Sequence, residues 1–443
     1  MALTQARRSA TSHRPGGARL QTSLITQRLC ALAGALMLSA QLPGSWGSGG
    51  AVRLMLLGSV ALVGTAFLLE RQQGDAQPWP HGDVIVLGLF VCGTVGLSVA
   101  IIQQNPALQV FGDLARIVAS ILAFNLGRRY GSAEALRVCR ETAVLLILLD
   151  LALLCAYAYY LLRGDFDRLT GGSVPAFVFI SAGLLSSPTP DWAAQRHRIK
   201  WIFAAGATAT ATLLSLTRGY WIIGCLVALA AARGTSGHRV KPKLKLFATL
   251  LVSCYAMAQY EPVWSRVQSR LRTITESEGF DDISSGRASE SREVIDAFAE
   301  SRLSREIFGF GLGGQRPTGE GELSHQIHST ALSIYFRHGI LGCVVLTLPV
   351  LVLTAAALRT LWRSNSGEPI NIFSAIIVFS MILGQSVYNV IGSPVFWLAA
   401  GAWHAENKLL RTQRSTPTSV VAQRPTVSGS SLRRPKLLHT LDP

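Results

Sequence analysis

Charge in this chain is confined largely to short stretches between long apolar runs, and that pattern limits what the chain can fold into more than any other feature. A helix needs roughly 18 to 25 apolar residues to cross the hydrocarbon core of a bilayer, where each backbone group must be satisfied within the segment itself. Twelve such runs are expected, at about 24–42, 51–69, 83–102, 108–126, 142–162, 174–187, 199–216, 219–232, 244–260, 339–358, 370–388 and 393–405. The sixth, eighth and twelfth are short, which suits tilted, broken or re-entrant segments. None shows the period-2 alternation of barrel strands, so all of them read as helices. Only 15% of the 443 residues are charged and 49% are hydrophobic, whereas a soluble globular chain carries about 25% charged residues. The expected fold class is all-α: a polytopic transmembrane helix bundle of about 12 spans with one large, helical hydrophilic loop.

A formal net charge of +16 would suggest a nucleic-acid partner in a soluble protein. Here the cations follow the spans. With the N-terminus in the cytoplasm, 27 of the 41 Lys and Arg residues fall on the inner side, and the short outer links hold only Arg163, Arg168 and Arg218. Long translocated loops are exempt from this positive-inside bias. The basic character therefore reports topology, and no nucleic-acid-binding motif is present. The seven cysteines stand singly, with no CxxC pair and none in the long loop. They read as small apolar packing residues, and neither a disulfide framework nor a zinc site is expected. The first apolar run follows an arginine-rich start and passes through Leu38-Ser39-Ala40, so it also fits a signal peptide. Cleavage there would leave the remaining topology unchanged.

Residues 1–23 and 406–443 lack periodic apolar content and are expected to be disordered cytoplasmic tails. Residues 24–197 carry the N-terminal spans. Residues 198–405 carry the rest, including the hydrophilic stretch 261–330, which parity places on the periplasmic side. Within that stretch Val294, Ile295, Phe298 and Leu303 give an apolar face at roughly helical spacing, ended by Gly309, Gly311, Gly313 and Gly314. Its eight cations are all arginine, whose planar fork binds phosphate bidentately as lysine cannot. The whole chain is arginine-biased, however, with 35 Arg against 6 Lys, and the twelve acidic residues of the loop outnumber its arginines. Composition alone does not establish a phosphate site.

Three constellations can carry chemistry. In Ser215-Leu-Thr-Arg-Gly-Tyr-Trp221, Arg218 sits at an outer helix junction. An ionisable group at membrane depth is a functional candidate, and the alternative is an interfacial anchor beside the aromatic belt of Tyr220 and Trp221. Ser285-Gly286-Arg287 leads into a loop helix and alone is an ordinary helix start. Gly309-Phe-Gly-Leu-Gly-Gly314 precedes His325-Gln-Ile-His328-Ser-Thr-Ala-Leu332 and Arg337-His-Gly339-Ile-Leu-Gly342. No βαβ unit surrounds the glycines, so they are not a dinucleotide fingerprint. His325 and His328 have no carboxylate or third ligand beside them in sequence, so no metal and no other cofactor is expected. A histidine acting as acid, base or hydrogen-bond donor is more economical, and the alternative for His328 is a cap at the start of the tenth span.

Taken together, these elements resemble the O-antigen ligase and Wzy polymerase family. The order is an Arg-Gly-x-Trp element at a helix end, a periplasmic loop with Ser-Gly-Arg, then Gly-x-Gly-x-Gly. A His-Asn-x-x-Leu element follows, with Gly-x-x-Gly eleven residues after its histidine. His328 to Leu332 supplies the histidine element, and Gly339 and Gly342 fall at the matching offsets. The resemblance covers about residues 198–405. Ser329 stands where asparagine is usual, Arg337 and His338 stand where ligases often carry an acid, and no tryptophan follows Ser-Gly-Arg; these differences bear on the choice between ligase and polymerase. The resemblance implies a GT-C-like bundle in the bacterial inner membrane that transfers a glycan from an undecaprenyl-diphosphate carrier. The acceptor hydroxyl would belong to another glycan, a lipid A core or a protein. It implies inversion at the anomeric carbon, no metal, Arg218 and Arg287 on the diphosphate, and His328 as base or donor, with His325 and Arg337 as secondary substrate contacts. A transporter or flippase of lipid-linked saccharide is the competing expectation; transporters usually bind at the midplane between repeats, and no repeat is evident.

Overall fold

The computed structural model describes residues 17–39, 49–73, 84–142, 287–299, 303–317, 323–324, 327, 329–363, 369–384 and 393–415, with isolated positions in 144–148, in 252–272 and at 301. Of these, 89% are helical. The helices are α1 (Gly17–Ser39), α2 (Gly49–Gln73), α3 (Val84–Ile102), α4 (Ala107–Arg129), a helical stretch over 132–142, α5 (Arg287–Ala299), α6 (Leu303–Phe308), α7 (Thr330–Gly342), α8 (Leu348–Arg363), α9 (Pro369–Gly384) and α10 (Pro394–Ser415). A short antiparallel hairpin pairs β1 (Arg316–Pro317) with β2 (Leu323–Ser324). Among the described residues, three helices are long and apolar enough to cross a membrane: Val84–Ile102, Ala107–Arg129 and Thr330–Leu361. The chain is thus a membrane protein by its described helices. The expected spans between 142 and 260 lie largely outside the described residues.

The sequence of α3 shows why these segments are helices. Its many β-branched residues would suit a strand in water, but in lipid only a helix satisfies its backbone internally. Ile85, Leu89, Cys92 and Gly96 face the bundle at helical spacing. Val84, Leu87 and Phe90 point outward and are about 60% exposed (61%, 58% and 59%), an apolar face suited to lipid. On α8, Leu348, Leu351 and Val352 do the same.

Two kinds of contact hold the described helices together. At one end, which we call the Tyr130 end, α4 crosses α10 with their backbones touching. A methyl group added to Gly127 or Gly401 would lie 2.1 Å from the Leu398 or Phe124 carbonyl oxygen. Around this crossing Thr26 donates to Glu70 at 3.3 Å, Cys30 Sγ lies 3.7 Å from the Tyr130 hydroxyl, and Ser132 bonds Glu406. At the other end, the Asn105 end, α3 turns into α4 and the loop after α6 wedges between them and α7.

Several boundaries differ from the sequence reading. Helix α1 begins at Gly17 and α10 continues to Ser415, inside both segments expected to be disordered. The helix expected from 339 starts at Thr330, because Ser329 caps it by accepting the Leu332 amide at 3.4 Å. Arg337 and His338 therefore lie within the helix, whose backbone bends at Gly339 (φ 59°, ψ −156°) before a π-helical turn at Cys343–Thr347. In the loop, Val294 and Phe298 are buried, but Ile295 and Leu303 are exposed. The predicted apolar face narrows to an i, i+4 pair because the helix ends at Ala299 and a separate short helix begins at Leu303.

Candidate functional site

The glycine-rich segment 309–314 is the centre of the Asn105 end. Gly309, Gly311 and Gly313 all have φ between 70° and 76°, a left-handed backbone that costs other residues about 1–2 kcal/mol. Space demands glycine as well: a methyl on Gly311 would sit 2.6 Å from the Ala100 amide nitrogen, and one on Gly313 2.6 Å from that of Val110. The loop's amides are spent on the protein. Phe310 donates to the Phe336 carbonyl (2.8 Å), Gly311 to Arg337 (3.0 Å), Leu312 to Gly96 (3.0 Å) and Gly314 to Gly311 (3.3 Å). The Asn105 side chain donates back to the Phe310 and Leu312 carbonyls, both at 2.8 Å. The glycines therefore do not form an open anion cradle of the kind made by free backbone amides; they form a wedge seated on α3, α4 and α7.

Of the two remaining amides of the wedge, Gly309 donates to the Arg305 carbonyl at 2.7 Å and Gly313 to Asp113 Oδ2 at 3.0 Å. The same oxygen accepts from Arg337 Nε at 2.8 Å, and Oδ1 accepts from Arg116 Nη1 at 3.1 Å. Arg337 Nη1 also bonds the Ser333 hydroxyl one turn back on α7. The Asp113 and Arg337 side chains are 6% and 8% exposed, so this is a buried ion pair. His338 is buried next to it, its ring packed on Gly96, which Leu312 also approaches, and its Nδ1 has no hydrogen-bond partner among the described residues.

Above this node α5 docks on α7. Val294, Phe298, Ile327 and Phe336 bury one another, with Phe310 stacked on Phe336 at 4.6 Å between ring centroids. Arg316 ties the start of α5 to the hairpin: its guanidinium lies 3.8 Å from Glu290 Oε1 and pairs with Glu293. Arg316 stands opposite Ser324 in the hairpin. The segments leading to His325 and His328 are thus joined to the helix that Arg287 opens.

Of the expected site residues, Arg218, His325 and His328 lie outside the described residues. Arg287 is the first residue of α5, and its backbone alone is described. Arg337 is placed fully, with two of its donor nitrogens held by Asp113 and Ser333. Ser329 is the helix cap, a position that serine and asparagine both suit. The cap reading expected for His328 falls one residue later. Asp113, Asn105 and the buried His338 are not found by motif order. Asp113 carried a signal all the same, as a carboxylate inside an apolar span, three residues before Arg116. The chain matches no family model, no curated protein and no solved structure.

Proposed function

We propose that this chain is a metal-independent, inverting glycan transferase of a bacterial inner membrane, an O-antigen ligase or polysaccharide polymerase. In this reading it has about twelve spans in a GT-C-like bundle, and the Asn105 end faces the periplasm. The acceptor hydroxyl attacks the anomeric carbon of a saccharide held on undecaprenyl diphosphate. The bond from that carbon to the phosphate oxygen breaks, its electron pair stays on the diphosphate, and the hydroxyl proton passes to His328. Arginine forks at Arg218 and Arg287 meet the charge that grows on the leaving group, so they stabilise the transition state more than the ground state. His325 is a secondary substrate contact.

The observation that carries this reading is the packing of three motif elements as one unit. The helix opened by Arg287, the Gly309–Gly314 wedge and the start of α7 meet through Phe298, Phe310, Ile327 and Phe336. Because the wedge spends its amides on the protein, recognition of the diphosphate falls to side chains.

A deletion strain tests the reading. Loss of ligation or of chain extension, with lipid-linked glycan accumulating outside, is expected; glycan trapped on the cytoplasmic side instead would favour a flippase. In properly inserted protein, Ala at Arg218, Arg287 or His328 should each lower transfer about a hundred- to a thousand-fold. Arg218→Lys, which keeps charge but loses the fork, should also be impaired. Full transfer by all three Ala variants would refute the assignment.

A further inference from the structure

We infer that Asp113 is a positioning residue for the transfer site: its one carboxylate fixes the glycine wedge and Arg337 together, and so sets where α7 begins. This rests on the transferase reading above, but it lies in α4, a part of the chain that reading does not draw on.

The geometry is specific. Oδ2 accepts from the Gly313 amide and from Arg337 Nε, while Oδ1 accepts from Arg116. The wedge and α7, whose donors lie 200 and 224 residues from Asp113 in sequence, therefore meet on one side chain of α4 that is itself buried. An ionised carboxylate among apolar helices is expensive, and a buried ion pair usually adds little net stability over apolar packing. What such a pair supplies is direction, because its hydrogen bonds hold in one arrangement only. Arg337 lies two turns into α7 from Ser329, the residue after His328. Its guanidinium is engaged by Asp113 and by Ser333 of the same helix. Arg337 then acts on the wedge and helix rather than on substrate, and the latch holds the helix that follows the proposed base.

Because chemistry is sensitive to displacement of about 1 Å, which can cost on the order of a hundredfold, the effect should appear in kcat. Asp113→Asn keeps the shape and one carbonyl oxygen but loses the charge and one acceptor. Transfer should fall roughly 10- to 100-fold in kcat, with KM for undecaprenyl-diphosphate-linked donor changed little. In Asp113→Ala, which leaves the Gly313 amide no side-chain acceptor, amide hydrogen exchange over 309–314 should rise roughly tenfold, as expected for loss of one hydrogen bond of that strength. The double variant Asp113→Asn/Arg337→Gln removes the Asp113–Arg337 ion pair as a whole and leaves no unpaired charge at 337, so it guards against simple misfolding. It should recover thermal stability while kcat stays low. Recovery of wild-type kcat by the double variant would overturn the proposal, since Asp113 would then only neutralise Arg337. Unchanged exchange over 309–314 in Asp113→Ala would overturn it equally. If the wild type itself fails to transfer, the functional reading fails, and the exchange measurement still reports separately whether Asp113 holds the wedge.

Discussion

Along its length α4 meets its neighbours in two ways. Near the Asn105 end it buries a carboxylate between two guanidinium groups and a loop amide. Near the Tyr130 end its Gly127 meets the Leu398 carbonyl of α10 and its Phe124 carbonyl meets Gly401, so that two backbones touch. In lipid, helices gain no hydrophobic advantage by associating, so close packing of small residues is the contact that stabilises a bundle. Ion pairs buried there pay a desolvation cost that offsets most of their attraction. One end is therefore built for cohesion and the other for fixed placement of a loop. Substitutions at the two ends should separate accordingly.

The largest effect is expected at the wedge. Gly311→Ala incurs about 1–2 kcal/mol for the left-handed backbone and roughly a further 1–3 kcal/mol for displacing Ala100. The damage should stay local: protease sensitivity and hydrogen exchange rise over 309–314, and the α4–α10 crossing keeps its protection. Simultaneous loss of protection at both ends would mean that the bundle is one cooperative unit and would erase the contrast.

Gly127→Ala sharpens the same comparison from the other side. Its backbone is ordinary helix, so the cost is overpacking alone, about 2 kcal/mol, read as a lower unfolding temperature in detergent. The wedge should keep its exchange protection. A neutral result would mean that the two backbones can separate without loss, and that cohesion comes from elsewhere.

How much of this was legible in the sequence follows from which signals are local. Apolar runs are, and they located α2, α3, α4 and α9 to within a few residues, because in lipid a long apolar run has few alternatives to a helix. Helix ends were less legible: α10 extends past 405 because Glu406 finds Ser132 across the bundle, a partner that composition does not reveal. The glycines read as a helix terminator, and they do follow α6, but their close approach to Ala100 and Val110 depends on tertiary contacts. Asp113 is hidden from composition, because a single carboxylate hardly dents an apolar average. The rule that would have caught it is that an ionisable group inside a span needs a partner, and Arg116 one turn on pointed to the same face.

The smallest effect concerns Ser329, where the Asn105 end meets the chain carrying His328. The Ser329 hydroxyl accepts the Leu332 amide at 3.4 Å, a long bond, so Ser329→Ala should cost no more than about 1 kcal/mol, the usual value for a lost N-cap. Asparagine caps as well as serine, so Ser329→Asn should leave stability unchanged within roughly 0.5 kcal/mol, the ordinary scatter of neutral substitutions. Stability of both variants can be read from unfolding in detergent, alongside transfer rate. If placement is the business of this end, Ser329→Ala should lower transfer by more than its small stability loss implies, because fraying the first turn of α7 loosens the residue just before it. Ser329→Asn should transfer normally. Should Ser329→Ala transfer as well as the wild type, the cap is only a helix start, and the placement of α7 must rest on Asp113 and Arg337 alone.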